Sequence, residues 1–185
     1  MDQGEHLTIE GIHKIVSIRA SMNNGLSKAL VEAFPNITPV ERPLVDRTVN
    51  LDPYWLAGFA EGEGCFQVKI YGSKTKTGFA VSLHFTIAQH SRDTELMNSL
   101  IQYFGCGSVV KPSEKYSVEF AENKFTDIDG KILPFFEKYP LQGLKLLNFE
   151  DFCKVAEIMK AKGHLTEEGL VKIREIKAGM NRNRR

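Results

Sequence analysis

The chain has no long hydrophobic run. None approaches the roughly 18 consecutive apolar residues that identify a membrane helix, so we expect no transmembrane segment. Cysteine is scarce as well, since Cys65, Cys106 and Cys153 are widely separated and odd in number. This spacing excludes a zinc-finger motif and a disulfide framework, and it favours a reducing, intracellular compartment. The first residues resemble neither a secretory signal nor a transit peptide, and we expect neither.

An excess of positive charge is also absent. The 185 residues include 24 Lys and Arg against 23 Asp and Glu, which gives a net charge of +1. Composition therefore offers no argument for nucleic-acid binding, and any DNA-binding charge must be concentrated on one face. The length suffices for one hydrophobic core with a small appendage.

The most informative stretch of the sequence begins at Asp52. Asp52 followed by Pro53 is typical of a helix N-cap with proline at the first helical position. Apolar residues then recur at helical spacing, which predicts a helix from Pro53 to Glu63. Gly64 is the expected end of this helix, and a strand-like pattern follows it.

Two glycines in this helix indicate a close neighbour. Gly58 and Gly62 lie four residues apart and share one helix face, where each costs roughly 1 kcal/mol relative to alanine. A face without side chains allows another backbone to approach, so we predict that a second helix packs here. We assign Ala57, Gly58, Glu61 and Gly62 to this helix interface. The acidic residues Glu61 and Glu63 lie at the negative C-terminal end of the helix, which favours a compensating divalent cation.

The residues from Leu56 to Gly64 resemble the signature of the LAGLIDADG homing endonucleases. Leu56, Ala57, Gly58 and Gly64 match that signature letter for letter, and the residues between the two glycines are conservative replacements. The resemblance implies a site-specific endonuclease of double-stranded DNA whose active site is completed by a second motif helix. It also implies action in an organelle such as the mitochondrion.

The same resemblance implies the active-site residues. Glu63 takes the position of the metal ligand and, with Gly62, would bind Mg²⁺, which Ca²⁺ can replace without supporting cleavage. Glu61 is the weaker candidate, because two residues earlier it faces another direction, and we expect it to cap or support. Gln89 falls where the family often places a polar residue that orients water. Lys145 falls where the family often places a lysine beside the scissile phosphate. Gln89 and Lys145 also fit simpler roles, as a strand-end polar residue and a solvated lysine.

An internal repeat divides the chain. Residues 6–23 align with residues 164–181, and 11 of the 18 pairs are identical. We therefore predict that residues 1–34 are the helical tail of a preceding, missing repeat, that residues 35–51 are a linker, and that residues 52–185 form one DNA-binding and nuclease half-domain. The second half is then either that preceding repeat or another copy of the chain. The alternative for the first segment is an ordinary helical extension.

The rest of the chain predicts an α+β fold, with an antiparallel sheet backed by helices. Alternating apolar and polar residues predict two hairpins, with strands over residues 65–71, 79–89, 107–111 and 115–120. In the last strand Tyr116 is expected to point inward with Val118 and Phe120. Periodicity predicts helices over residues 93–104, 128–139 and 144–160, and a last helix capped by Thr166. Pro134 should kink or restart the second of these helices. This order resembles the αββαββα repeat of the LAGLIDADG family.

The polar face of the predicted sheet is the expected DNA-binding surface. In the family this face lies in the major groove, where alternating side chains of a two-stranded ribbon reach base edges. The candidates for base contacts are Gln67, Lys69, Tyr71, Ser82, His84, Thr86, Ser117 and Glu119. The candidates for phosphate contacts are Lys74, Lys76 and Lys111. The alternative is a solvated sheet face, which antiparallel sheets often have.

Two other functions stay open at this point. The same family includes RNA-splicing maturases, and the retained acidic residues favour a nuclease without excluding that role. Because the chain has one motif, it could also be a catalytically inactive half that binds DNA or only associates with a partner.

Overall fold

The structure is a computed structural model that describes residues 4–22, 24–42, 51–111 and 116–184. Backbone contacts divide the chain into two units, Met1–Asp46 and Arg47–Arg185. Residues 43–50 of the predicted linker and Lys115 of the predicted last strand lie outside the described residues. Among the described helices, none is long and apolar enough to cross a membrane.

The first unit contains two short helices, α1 (Ile9–Ala20) and α2 (Lys28–Ala33). The hydroxyl oxygens of Thr8 and Ser27 cap their N-termini by accepting hydrogen bonds from backbone amides. Helix α1 ends at Ala20. Gly25 adopts a φ of 75° in the turn between the helices, a conformation that glycine allows without strain.

Helix α3 spans Pro53–Glu63, as predicted. Oδ1 of Asp52 accepts a hydrogen bond from the amide of Trp55 at 2.9 Å and caps the helix. The next strand begins directly at Gly64. This abrupt change requires glycine, because a Cβ on Gly64 would lie 2.5 Å from the carbonyl oxygen of Ala60.

A four-stranded antiparallel sheet has the strand order β1-β2-β4-β3. The strands are β1 (Gly64–Gly72), β2 (Phe79–His90), β3 (Ser108–Val110) and β4 (Ser117–Glu122). In the first hairpin Gly64 pairs with Ile87 and Gly72 pairs with Phe79. Strand β1 therefore forms one edge of the sheet, and its residues alternate between a buried and a more exposed face, as predicted.

The second hairpin differs from its prediction. Strand β3 is shorter than expected, and β4 runs two residues further along the chain than residues 115–120. Tyr116 was expected to point inward but is 60% exposed. The ladder between β2 and β4 starts with Ser117 opposite His90, so Tyr116 lies before the strand. Its ring stacks on that of His90 at a centroid distance of 5.7 Å.

Helices pack against the buried face of the sheet. They are α4 (Thr94–Phe104), the short α5 (Phe125–Asp127), α6 (Leu133–Lys138), α7 (Lys145–Lys160) and α8 (Glu167–Ala178). The largest fully buried side chains include Phe66, Phe85, Phe120, Phe136 and Phe152, which come from both layers. The order of helix, hairpin, helix, hairpin and helices confirms the predicted α+β fold.

A π-helical segment, Ile128–Ile132, joins α5 to α6. The amide of Leu133 donates a hydrogen bond to the carbonyl oxygen of Ile128, five residues earlier. Pro134 follows immediately and has no amide hydrogen with which to continue an α-helical ladder. The disturbance predicted at Pro134 therefore takes the form of a widened turn before the proline.

Candidate active site and nucleic-acid interface

Helix α3 has an open glycine face. Gly58 and Gly62 are both exposed, and a Cβ built on either would meet no atom within 4 Å. On the same helix Trp55 is 46% exposed and stacks on Phe59 at 5.0 Å between ring centroids. The backbone of α3 is thus accessible along the line joining the two glycines, as a close helix–helix contact requires.

Two residues that we assigned to this helix interface lie elsewhere. Ala57 is only 5% exposed, so its methyl group is not available to a second helix. The carboxylate of Glu61 points to the N-terminus of α7, where it accepts a hydrogen bond from the amide of Lys145. The predicted interface is therefore corrected to the face of Gly58 and Gly62. The spacing of four residues that groups these glycines also groups Ala57 with Glu61, on a neighbouring face.

Glu63 is the last residue of α3 and is exposed. Its carboxylate and the carbonyl oxygen of Gly62 are oxygen ligands of the kind that Mg²⁺ and Ca²⁺ prefer. Within the described residues, no three or more His, Cys, Asp or Glu side chains come together as a metal site. These two residues therefore fit a divalent cation only as part of a larger ligand set.

Glu61 and Lys145 join α3 to α7 by reciprocal hydrogen bonds. The amide of Lys145, at the first position of α7, donates to Oε1 of Glu61 at 3.3 Å. In return, Nζ of Lys145 donates to the carbonyl oxygens of Ala60 (3.0 Å) and Gly62 (3.2 Å) at the end of α3. The carboxylate of Glu61 thus caps the N-terminus of α7, and the ammonium of Lys145 caps the C-terminus of α3.

Burial affects the charge of this α3–α7 contact. Partial burial lowers the pKa of the Lys145 ammonium, while the nearby charges of Glu61, Cys65 and Glu63 oppose that change. The Oε2 atom of Glu61 is buried and has no hydrogen-bond partner within the described part of the chain. Gly143 leaves room for this carboxylate, because a Cβ there would lie 2.3 Å from Oε1 of Glu61.

The α3–α7 contact predicts coupled effects on stability. Glu61→Ala should lower the free energy of unfolding by about 1 kcal/mol, as the loss of a helix cap does. Gly143→Ala should cost a similar amount, because its methyl group displaces the same carboxylate. In the Glu61→Ala background Gly143→Ala should cost little, and urea unfolding of the four proteins measures this coupling. Gly130→Ala is the matched control, since its Cβ would meet no atom within 4 Å. Additive effects of the two substitutions would contradict the contact.

Gln89 lies at the same end of the first hairpin as the end of α3. Gly64, which follows Glu63, pairs with Ile87, and Gln89 is two residues beyond that pair on β2. The Oε1 atom of Gln89 accepts a hydrogen bond from the amide of His90 at 2.9 Å. The side-chain nitrogen of Gln89 is still able to donate a hydrogen bond. The contact of Gln89 with active-site water stays a prediction.

The polar face of the sheet is partly or fully exposed at most of the predicted positions. In the first hairpin Gln67 pairs with His84, and Lys69 pairs with Ser82. The residues of the predicted base-contact set that are exposed or half-buried are Gln67, Lys69, Tyr71, Ser82, His84, Ser117 and Glu119. Alternation along β1 and β2 therefore places a row of hydrogen-bonding side chains on one accessible surface.

Thr86 is a correction to this set. It has the same parity as Ser82 and His84 on β2 but is only 8% exposed. Since β4 pairs with β2 from Phe85 onward, Thr86 lies in the three-stranded part of the sheet, opposite Ala121. Alternation identified its face correctly, but a side chain with so little exposure cannot reach a base edge.

Three basic residues lie around this face. Lys74 and Lys76 are exposed in the turn that connects β1 with β2, and Lys111 is exposed directly after β3. They remain candidates for phosphate contacts.

His84 is held in its neutral form at pH 7. Burial, and then the positive charge of Lys69, lower the pKa of its imidazole below the ordinary value of 6.5. Its Nε2 lies 3.0 Å from Oγ of Ser82. A neutral imidazole can both donate and accept a hydrogen bond, which suits contact with the mixed edges of base pairs.

Two of the three thiols are unsuited to nucleophilic chemistry. Burial is the main cause that raises the pKa of Cys106 and of Cys153 to about 12 in each case. A thiol with such a pKa stays protonated at neutral pH, and the thiolate is the reactive form.

The role of Gly143 and the anchoring of the C-terminal turn were not predicted. Nδ2 of Asn181 donates to the carbonyl oxygen of Phe66 at 3.0 Å, and its amide donates to Asn148 at 2.9 Å. The internal repeat contained one indication that Asn181 matters, because Asn181 is among the identical positions of the two copies. The sequence has no corresponding signal for Gly143, whose partner is distant along the chain.

Comparison with known proteins identifies similar sequences and structures. The family model described as LAGLIDADG endonuclease matches residues 56–156. The "Probable intron-encoded endonuclease 3" of Neurospora crassa is 44% identical over 166 residues, which cover 89% of this chain and 31% of that protein. The crystal structure of the I-SmaMI LAGLIDADG homing endonuclease bound to cleaved DNA is similar with a TM-score of 0.96 and 47% identity, over 100% of this chain and 62% of that one.

A second structure of the same enzyme adds a metal. I-SmaMI bound to an uncleaved DNA target in the presence of calcium ions has a TM-score of 0.95 and 47% identity to this chain, over 98% of this chain and 62% of that one. The chain thus spans about a third of the Neurospora protein, 31%, and 62% of the solved enzyme.

Proposed function

Because the chain belongs to the LAGLIDADG endonuclease family, we propose that it is one half of a site-specific endonuclease that cleaves double-stranded DNA. The observation that supports this most strongly is the position of Glu63. Its exposed carboxylate ends the glycine-faced helix α3 and lies next to Gly62, whose carbonyl oxygen accepts a hydrogen bond from Lys145. An acidic group, a lysine and an open helix face therefore meet at one place.

A second motif helix completes the active site. The open face at Gly58 and Gly62 fits a neighbouring backbone, and the described residues of this chain supply too few ligands for a divalent cation. One acidic residue from each half, together with scissile phosphates, would supply the missing oxygen atoms.

Helix α1 supports the proposal that a second half exists. In α8, Leu170 and Ile173 are 2% and 0% exposed. The repeat aligns them with Ile12 and Ile15 of α1, which are 39% and 49% exposed. We propose that residues 1–34 are the closing helical segment of another half-domain, that residues 35–51 link the halves, and that residues 52–185 are the half-domain described here. The second half is either a preceding repeat or another copy of the chain.

The residues of the chain divide the catalytic work. Glu63 would hold the cation through its carboxylate, and the carbonyl oxygen of Gly62, which has a second lone pair besides its bond to Lys145, would be a further ligand. The chemistry that bound Mg²⁺ supplies is activation of water and stabilisation of the leaving oxygen. Ca²⁺ would occupy the same ligands without supporting cleavage; the complex of I-SmaMI with an uncleaved DNA target in the presence of calcium ions is consistent with such a role.

Lys145 can reach the scissile phosphate without leaving its contact with α3. An ammonium group has three donors, and two of them bind the carbonyl oxygens of Ala60 and Gly62. The third donor remains for a phosphate oxygen. Gln89 would orient the attacking water from the end of β2.

DNA lies along the polar face of the sheet in this proposal. Gln67, Lys69, Tyr71, Ser82 and His84 of the first hairpin would contact base edges in the major groove, with Ser117 and Glu119 beside them. Lys74, Lys76 and Lys111 would contact phosphates, which position the protein without selecting a sequence. Two of the solved neighbours are bound to DNA, which supports DNA as the partner of this chain.

The proposed DNA contacts predict two different effects of mutation. Lys74→Ala should weaken binding to all duplexes equally and lower the slope of log affinity against log salt by about 0.9, since one phosphate contact is lost. Gln67→Ala should leave that slope unchanged and reduce discrimination at one base pair by about 1–3 kcal/mol. Fluorescence anisotropy with duplexes selected from a randomised library measures both. Equal affinity for every duplex in wild type and both variants would refute sequence readout by this face.

The place of action follows from the relatives. The Neurospora protein is named as intron-encoded, and the resemblance to the family points to the same genetic setting. We therefore propose that the chain acts in an organelle such as the mitochondrion, on DNA and together with the second half.

A further inference from the structure

A cleft of about 750 Å³ lies at the outer edge of β1; it includes Gln67 and Lys69 of the predicted base-contact set and extends beyond them to the end of α8. The cleft is lined by side chains of β1 and of the segment that ends α8, among them Gln67, Lys69, Lys177, Asn181 and Arg182. We call it the β1-edge cleft. It contains three cationic side chains and, among its lining residues within the described chain, no Asp or Glu.

The wall of the β1-edge cleft is held in a fixed position. Asn181 bonds to the carbonyl oxygen of Phe66 on β1 and to Asn148 on α7. It has a φ of 56°, which is uncommon for a residue other than glycine. Further back along α8, the guanidinium of Arg174 lies over the ring of Phe79 at 4.6 Å. The end of α8 is therefore attached to the first hairpin at two separate points.

The cations of the cleft have no internal counter-charge. Within the described residues, the side chains of Lys69, Lys177 and Arg182 form no ion pair and no hydrogen bond. The repeat offers an internal comparison, because Arg19 of α1 occupies the position of Lys177. Arg19 donates hydrogen bonds to the carbonyl oxygens of Met22 and Gly25, so its guanidinium already has partners in the turn that follows α1. Three unpaired positive charges around one cleft repel each other and favour an anion between them.

From these observations we propose that the β1-edge cleft binds a backbone phosphate of duplex DNA through Lys177 and Arg182, while Lys69 beside them keeps its proposed contact with a base edge. The inference rests on the proposed function. Strand β1 is an edge strand, so the sheet ends there. In the proposed arrangement the sugar–phosphate strand that borders the groove on that side would face the cleft. A phosphate held by the end of α8 would set the register of the groove-facing hairpin on the duplex.

The test compares the salt dependence of duplex binding in wild type, Lys177→Ala, Arg182→Ala and the double variant. Each loss of a phosphate contact should lower the slope of log affinity against log salt by about 0.9, and the double variant should lose about twice as much. The effect should be the same for every duplex sequence. Lys172→Ala is the matched control on α8, because Lys172 is paired with Glu168 at 2.7 Å and lies outside the cleft lining.

The outcomes separate this inference from the proposed function. If wild type binds duplex DNA with a steep salt dependence and the Lys177 and Arg182 variants keep the same slope, the cleft does not bind phosphate and the inference is wrong. A change in sequence preference instead of slope would also overturn it. If wild type shows no salt-dependent duplex binding, the proposed function and the inference fail together. Thermal unfolding of each variant distinguishes a lost contact from a lost fold, and both side chains are exposed.

Discussion

Glu63→Gln is expected to abolish cleavage while DNA binding is retained. The substitution keeps the size of an exposed side chain at the end of α3 and replaces a carboxylate with a neutral amide. A neutral amide binds a hard divalent cation poorly, so metal-dependent stabilisation of the transition state should fall by several kcal/mol. The expected loss is on the order of 10³-fold in the single-turnover rate with Mg²⁺. The rate is measured on a tandem of two copies of the chain, beside the dissociation constant for the same duplex in Ca²⁺.

The control for this prediction is another exposed acid. Glu137→Gln makes the same chemical change on α6, away from the end of α3, and should leave the rate unchanged. Cleavage that persists in Glu63→Gln would place the active site elsewhere. Cleavage that needs no divalent ion would contradict the metal assignment itself.

Gly58→Leu is expected to prevent pairing of α3 with a second motif helix. The glycine has open space around it in the isolated chain, so the leucine should be tolerated in the folded monomer. In a close helix–helix contact the same side chain forces the two backbones apart, and such overpacking costs several kcal/mol. The dissociation constant of the pair should rise by about 100-fold or more. Sedimentation equilibrium over a range of protein concentrations measures it.

Gly130→Leu is the matched control for that experiment. Gly130 is also helical and exposed, and its Cβ would meet no atom within 4 Å. Loss of association in both variants would mean that added leucine acts non-specifically. A wild-type chain that stays monomeric and well folded at every concentration, with its glycine face in water, would refute the proposed interface.

Local patterns were sufficient to predict α3 and the first hairpin. The cap at Asp52, the proline at the first helical position and the glycine at the end are all signals within a few residues of the element that they define. Alternation along β1 and β2 likewise identified the buried and the polar faces. These features depend on neighbouring residues, so the sequence alone contained enough information.

Contacts between distant residues could not be predicted in the same way. Glu61 and Lys145 are 84 positions apart, and no local pattern relates them. Glu61 was expected to cap or support, but its partner could not be named, and it was also assigned to the helix interface although its carboxylate caps α7. Tyr116 and Thr86 were misjudged for a related reason, because alternation defines a face but neither the first paired residue of a strand nor the number of strands around it.

The most direct test of the shared active site is cleavage measured against the extent of pairing. The chain is assayed with Mg²⁺ on duplex DNA that carries its selected sequence, first at concentrations where sedimentation shows only monomer and then as the tandem of two copies. We expect no cleavage by the monomer and Mg²⁺-dependent cleavage by the paired form, because Glu63 and Gly62 of one chain provide too few ligands. Mg²⁺-dependent cleavage by the monomer, at a rate equal to that of the paired form, would contradict an active site completed by a second motif helix.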